Sequence, residues 1–151
     1  MQEMKKDRLS AAERRRIVAC PGRIMPLVRI SVMKGKPPNF GEEVGRIVYE
    51  TMVETFDVPQ GDRFQIVSDH DKSGLLYDPG YLGIRRSDGI VFIQMTVSEG
   101  RTLEKKKALY KRLAERLNAQ LGVRVEDVFV NLVEVKKENW SFGNGVAQYV
   151  T

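Results

Sequence analysis

The chain has 151 residues, and its 25 lysines and arginines against 20 acidic residues give a formal net charge of +5. A composition 42% hydrophobic and 30% charged fits one globular domain and excludes an intrinsically disordered chain. One cysteine excludes an internal disulfide framework, one histidine excludes a multi-histidine metal centre, and no apolar run is long enough for a membrane span.

The charge is concentrated at the start. Residues 1–25 hold Lys5, Lys6, Arg8, Arg14, Arg15, Arg16 and Arg23 against Glu3, Asp7 and Glu13, which places +4 of the +5 there, along with Cys20. This stretch lacks the apolar middle of a secretory signal. Three adjacent arginines fall short of the usual basic tract, so the segment reads as a disordered tail or as sequence upstream of a true start at Met25. Residues 26–151 then form one domain holding 18 basic and 17 acidic groups. A nucleic-acid partner is not expected of so neutral a body, and a membrane partner is not expected either.

In chain order, "LVRISVMKG" (27–35) reads as a strand rich in β-branched residues. Val44, Ile47, Val48, Met52 and Phe56 form a helical stripe. "FDVPQGDRFQIV" (56–67) leads into a second strand, and residues 71–89, with "YDPGYLG" and "SDG", read as a long connection ending in an Asp-Gly turn. "FIQMTVSEG" (92–100) gives a third strand. Thr102 is a candidate N-cap, Leu109, Leu113, Leu117 and Leu121 make a second helical stripe, and Gly122 fits the stop. "LGVRVEDVFVNL" (121–132) supplies the last strand, followed by the glycine-broken aromatic tail "NWSFGNGVAQYV".

The halves repeat. A shift of 65 residues superimposes Ile30 on Met95, Val32 on Val97, Gly35 on Gly100, Val58 on Val123, Asp62 on Asp127 and Phe64 on Phe129 without a gap. Each half is strand, helix, strand, and the right-handed crossover makes its two strands parallel. The expected fold class is α+β, a duplicated βαβ with a four-stranded sheet and both helices on one face. The other face would expose Leu, Val, Ile and Phe side chains, which predicts oligomerisation.

These halves, with Met25-Pro26 opening the first strand, resemble the tautomerase superfamily, and within it malonate semialdehyde decarboxylase and its relatives. The resemblance runs through "MPLVRI", "FDVPQGDRFQIV", "YLGIRRSDGIVFIQMT", "GRTLEKKKALY", "DVFVNLVE" and "NWSFGNGVAQY", covering 26–151 and none of 1–24. It implies a homotrimer, a cytoplasmic enzyme needing neither metal nor cofactor, and a small 2-oxo or 3-oxo acid as substrate. It also implies catalysis by an N-terminal proline freed when the initiator methionine is removed.

Pro26 is that proline. A secondary amine at a chain start titrates near neutral pH and can serve as base or cationic acid, according to its surroundings. Within a longer chain it is an amide with no available lone pair. Arg101, at the mouth of the second helix, suits a carboxylate bidentately, and the resemblance assigns the arginine of this "GRT" to that task. One decarboxylase pattern has two further arginines where this chain has Ser98 and Gly100; a second branch shares the single arginine. Asp62 matches the family's acidic residue, although its repeat partner Asp127 is also placed for a turn. Trp140, Phe142 and Tyr149 resemble an aromatic wall around the proline. His70, ending the second strand, reads as a surface or structural residue, and Arg86 as a solvated turn-flanking one. The expected reaction is keto–enol tautomerisation of a 2-oxo acid; the alternatives are decarboxylation or hydration of a 3-oxo acid such as malonate semialdehyde, and a non-catalytic trimer if the extension is kept.

Overall fold

The computed structural model describes residues 25–150, so the basic extension, with Cys20 and Arg14 to Arg16, lies outside the described residues apart from Met25. Residues up to Val135 form one compact unit, and Lys136 onward belongs to a second. The first unit runs β1 (Leu27–Met33), α1 (Phe40–Thr55), β2 (Phe64–His70), β3 (Val91–Ser98), α2 (Leu103–Leu121) and β4 (Val128–Val135). Its sheet has the order β2-β1-β3-β4. β1 pairs parallel with β2 and β3 with β4, while β1 and β3 run antiparallel through the centre. This is the expected pair of βαβ units. Among the described residues, no helix is long and apolar enough to cross a membrane.

Both helical stripes face the sheet. Val44, Ile47, Val48, Met52 and Phe56 are at most 1% exposed, and Leu109, Leu113 and Leu117 are fully buried. They pack with Val28, Ile30, Val32, Val91, Ile93, Met95 and Val97 of the central strands in one cluster. Each large side chain so buried contributes about 1.5–3 kcal/mol before chain entropy is counted. A close approach at Gly45 brings α1 onto the edge strand. Its carbonyl accepts from Gln65 Nε2 at 2.8 Å, and a Cβ there would lie 2.6 Å from Gln65 Oε1. The Thr102 hydroxyl accepts from the Lys105 amide, and Gly122, at φ 66°, turns the chain out of α2.

The repeat extends to individual backbone bonds. Val58 N–H donates to Met52 O at 3.4 Å, and Val123 N–H to Leu117 O at 3.3 Å. Asp62 N–H donates to Pro59 O at 3.2 Å, and Asp127 N–H to Arg124 O at 2.9 Å. Lys34 N–H reaches His70 O at 2.9 Å, and Glu99 N–H reaches Val135 O at 3.0 Å. Every one of these pairs is related by the 65-residue shift.

The face away from the helices carries the expected Leu, Val, Ile and Phe side chains, and polar ones among them. Register aligns Phe64, Leu27, Thr96 and Val133 in one row, then Ile66, Arg29, Gln94 and Asn131, then Ser68, Ser31, Phe92 and Phe129. Apolar and polar groups are therefore mixed, with Arg29, Gln94 and Asn131 side by side in one row, where Gln94 Nε2 donates to Asn131 Oδ1 at 3.1 Å. The side-chain alternation of the strands was legible; which polar residues would stand side by side depended on register.

Candidate active site

Strand direction decides which loops share a rim. Leu27 pairs with Phe64 in the parallel direction and with Thr96 in the antiparallel one. The start of β1 therefore lies beside the start of β2 and the end of β3. Pro26 immediately precedes β1, Asp62 precedes β2 by two residues, and Arg101 follows β3 by three. The three residues, distant in sequence, stand on one rim of the sheet. Pro26 is buried, and Asp62 is only 8% exposed.

Arg101 is held rather than solvated. Its Nε donates to the Phe56 carbonyl at 2.9 Å and its Nη1 to the Ser98 carbonyl at 3.3 Å. The guanidinium carbon sits 4.1 Å from the centroid of the Phe56 ring, within the range of a cation–π contact. Its Nη2 is shielded from solvent and has no hydrogen-bond partner among the described residues. Burial pushes the guanidinium below its ordinary value, while Asp57 and Glu134 act in the opposite sense. An arginine so placed remains a cation with donor capacity left over, in surroundings that strengthen a contact with an anion. Phe56 is a site residue that the sequence did not reveal: as the last member of the α1 stripe it looked like core alone, yet its carbonyl and ring position Arg101.

The repeat partner of Asp62 has a different employment. Asp127 is 1% exposed; its carboxylate accepts from Ser87 N at 2.7 Å and Ser87 Oγ at 2.5 Å, with Arg124 Nη1 3.8 Å away. It anchors the long connection to the entrance of β4. Arg86 is not a freely solvated arginine either. Its Nη1 donates to Tyr81 O at 3.0 Å, Asp78 O at 3.3 Å and Ile84 O at 3.4 Å, stapling the loop carbonyls together. His70 lies at the opposite rim from Pro26, as its pairing with Met33 at the far end of β1 requires.

In the C-terminal segment, Trp140 stacks on Phe142 with centroids 5.4 Å apart, and Phe142 meets Tyr149 edge-on at 4.9 Å. Phe142 N–H donates to Gln148 Oε1, whose amide donates back to Gly143 O. The three expected aromatic residues thus form one cluster. Among the described residues, no group of His, Cys, Asp and Glu is arranged to hold a metal ion.

A sheet doubled from two βαβ units, with a proline, a buried carboxylate and a held guanidinium on one rim, defines the duplicated tautomerase type of fold. A family model described as tautomerase enzyme matches residues 62–143. The chain is 41% identical over 126 residues to the probable tautomerase YusQ of Bacillus subtilis (strain 168), covering 83% of this chain and 99% of that one. Among solved structures, FG41 malonate semialdehyde decarboxylase inhibited by 3-bromopropiolate is 35% identical with a TM-score of 0.76, covering 82% of this chain and 94% of that one. Another malonate semialdehyde decarboxylase, described with decarboxylase and hydratase activities, is 32% identical with a TM-score of 0.75, covering 82% of this chain and 95% of that one. The chain belongs to the tautomerase family.

Proposed function

We propose that the chain, freed of residues 1–25 so that Pro26 is its first residue, catalyses keto–enol tautomerisation of a small 2-oxo acid. The Pro26 amine takes a proton from the carbon alpha to the ketone; the C–H electron pair becomes the carbon–carbon double bond as the carbonyl pair moves onto oxygen, and that oxygen receives the proton to give the enol, the reverse reaction retracing these steps. Arg101 holds the substrate carboxylate and favours the developing enolate, and Asp62 orients or balances the amine. The reading needs no metal or cofactor, and it takes the working enzyme to be a cytoplasmic trimer closed over the half-apolar open face of the sheet. The observation that carries it is Arg101, fixed through two of its nitrogens with Nη2 unengaged, on the rim where Pro26 opens β1. In support of the shortened chain, the match to YusQ spans as many residues as 26–151 and 99% of that relative.

A second reading is decarboxylation of a 3-oxo acid such as malonate semialdehyde, supported by 35% and 32% identity to two such enzymes. There a cationic Pro26 stabilises the enolate left when the carbon–carbon bond to the carboxylate breaks. The amine separates the two: a free Pro26 amine titrating well below neutrality favours the tautomerase, and one well above it favours the decarboxylase. Intact mass of protein from the native host tests both. A mass beginning at Pro26 is expected; a chain retaining residues 1–25 would overturn them, because its Pro26 nitrogen is an amide. On the shortened chain, Pro26→Ala should abolish turnover of phenylpyruvate enol or malonate semialdehyde.

A further inference from the structure

The rim opposite Pro26 contains a cleft of about 350 Å³, whose charged and titratable lining is Lys34, Lys36, His70, Asp71, Lys72 and Asp88. It occupies the place related to the Pro26 rim by the 65-residue repeat, since Lys36 corresponds to Arg101, Asp127 to Asp62 and Val91 to Pro26. The loops that deliver the two cations share a backbone form: Gly35 and Gly100, each immediately before its cation, take φ of 92° and 120°. Both are positive, a conformation that glycine adopts without strain. Lys36 is thus directed by the same turn that directs Arg101.

Charge within the cleft is unevenly matched. Lys34 pairs with Asp71 at 3.2 Å and Lys72 with Asp88 at 3.0 Å, both at the surface. Asp127 is occupied by Ser87 and Arg124. Lys36 forms no ion pair among the described residues; its ammonium stands 5.6 Å from the Phe40 centroid, and a Cβ on Gly89 would come 3.7 Å from it. His70 borders the same cleft; its Nε2 is shielded from solvent and has no hydrogen-bond partner among the described residues. One ammonium outside any ion pair, with the Asp88 carboxylate as its electrostatic neighbour, and two exchangeable surface pairs border a recess large enough for a small acid, where Lys36 holds the position that Arg101 holds on the Pro26 rim.

We infer that this cleft is a second anion-binding site, taking a small carboxylate or a phosphate and performing no proton transfer on it. Val91, a buried strand residue at the position corresponding to Pro26, supplies no amine of the kind proposed to take the proton there. The site stands whether or not the catalytic reading of Pro26 holds.

His70 is the only histidine in the chain, so its ring protons report the cleft without further assignment. The full chain is titrated at fixed pH with sodium pyruvate and, separately, with inorganic phosphate, against sodium chloride at matched ionic strength, while the His70 ring resonances are followed. Saturable shifts with pyruvate or phosphate, absent with chloride, are expected, and the tighter of the two identifies the ligand chemistry. Lys36→Met should weaken that binding at least tenfold, Lys36→Arg should retain it, and Arg101→Ala should leave it unaltered. Linear shifts equal to those of chloride, or unchanged saturation in Lys36→Met, would overturn the site. Turnover on the Pro26 rim is measured in parallel on the chain that begins at Pro26: Lys36→Met is expected to keep it, so failure of the cleft and failure of the catalytic reading give different patterns.

Discussion

At one rim of the sheet stand Pro26, Asp62 and Arg101; at the other, Val91, Asp127 and Lys36 occupy the corresponding positions. The scaffolding is shared down to single bonds, such as Lys34 to His70 and Glu99 to Val135 at 2.9 and 3.0 Å. What differs is how each rim uses its polar groups. At the far rim, Asp127 is consumed by Ser87 in holding the long connection, and the cation is a flexible ammonium rather than a clamped guanidinium. At the near rim, the Phe56 carbonyl and ring fix Arg101 while leaving one nitrogen unengaged. Duplication supplied two equal frames, and a few side chains made one rim a candidate for chemistry and the other a place where loops are tied.

The cation exchange gives the sharpest break in that comparison. Arg101→Ala should lower kcat/KM by on the order of 100-fold, since a desolvated charge-assisted contact is worth about 1.5–3 kcal/mol. Lys36→Ala should leave kcat/KM unchanged. Steady-state kinetics on the shortened chain measures both, and equal losses at the two positions would refute the division of labour.

The paired aspartates should separate in the other direction. Asp127→Ala removes two acceptor contacts and strands the Ser87 amide, for an expected loss of about 2–4 kcal/mol by denaturant unfolding. Asp62→Asn should cost less stability and more turnover. A larger stability loss at Asp62 would mean that both carboxylates are structural, as their symmetry first suggested.

The helix exits form a third pair. Gly122 ends α2 at φ 66°, and its counterpart Asp57 takes φ 55° after α1. Gly122→Ala is expected to cost about 1 kcal/mol, because a Cβ is strained there. Asp57→Gly should change stability by less than about 0.5 kcal/mol: it relieves that strain but gives up the exposed pair with Lys105. Thermal melts of the two variants against the parent provide the check.

Much of this frame could be read from residues alone, because buried stripes, caps and an ungapped repeat are local patterns. The stripe from Val44 to Phe56, the Thr102 cap and the Gly122 exit all depend on spacing within one element. The parallel pairing within each half followed from the duplicated βαβ order, and the resemblance named Pro26, Asp62 and Arg101; that they share a rim came from the antiparallel pairing of β1 with β3. What escaped were relations between elements. The polar row of Arg29, Gln94 and Asn131 depends on register across three strands. The hold of Phe56 on Arg101 joins the end of one helix to the start of the other across 45 residues. The separate employment of Asp127 required Ser87 to arrive from the connection, 40 residues away. No motif encodes such meetings; they follow from where the folded chain happens to pass.

That connection supplies the smallest expected effect. Tyr77 donates its hydroxyl to Asp88 Oδ1 at 2.7 Å, and Lys72 pairs with Oδ2 at 3.0 Å. The tyrosine bond first, and the lysine second, hold the Asp88 carboxyl below its ordinary value. A carboxyl lowered by folding stabilises the folded form at every pH above the unfolded value of about 3.9, and that contribution disappears as the pH falls through the lowered value. Both partners are exposed, so the contribution is small and local. Amide exchange within residues 71–89, corrected for intrinsic rates, should therefore lose protection by a few-fold on acidification across that window, while α2 keeps its protection. In Asp88→Asn the carboxyl is gone, and the acid-dependent step should vanish, leaving the loop equally loose at both ends of the window. An undiminished step in Asp88→Asn would remove Asp88 as the source of the sensitivity.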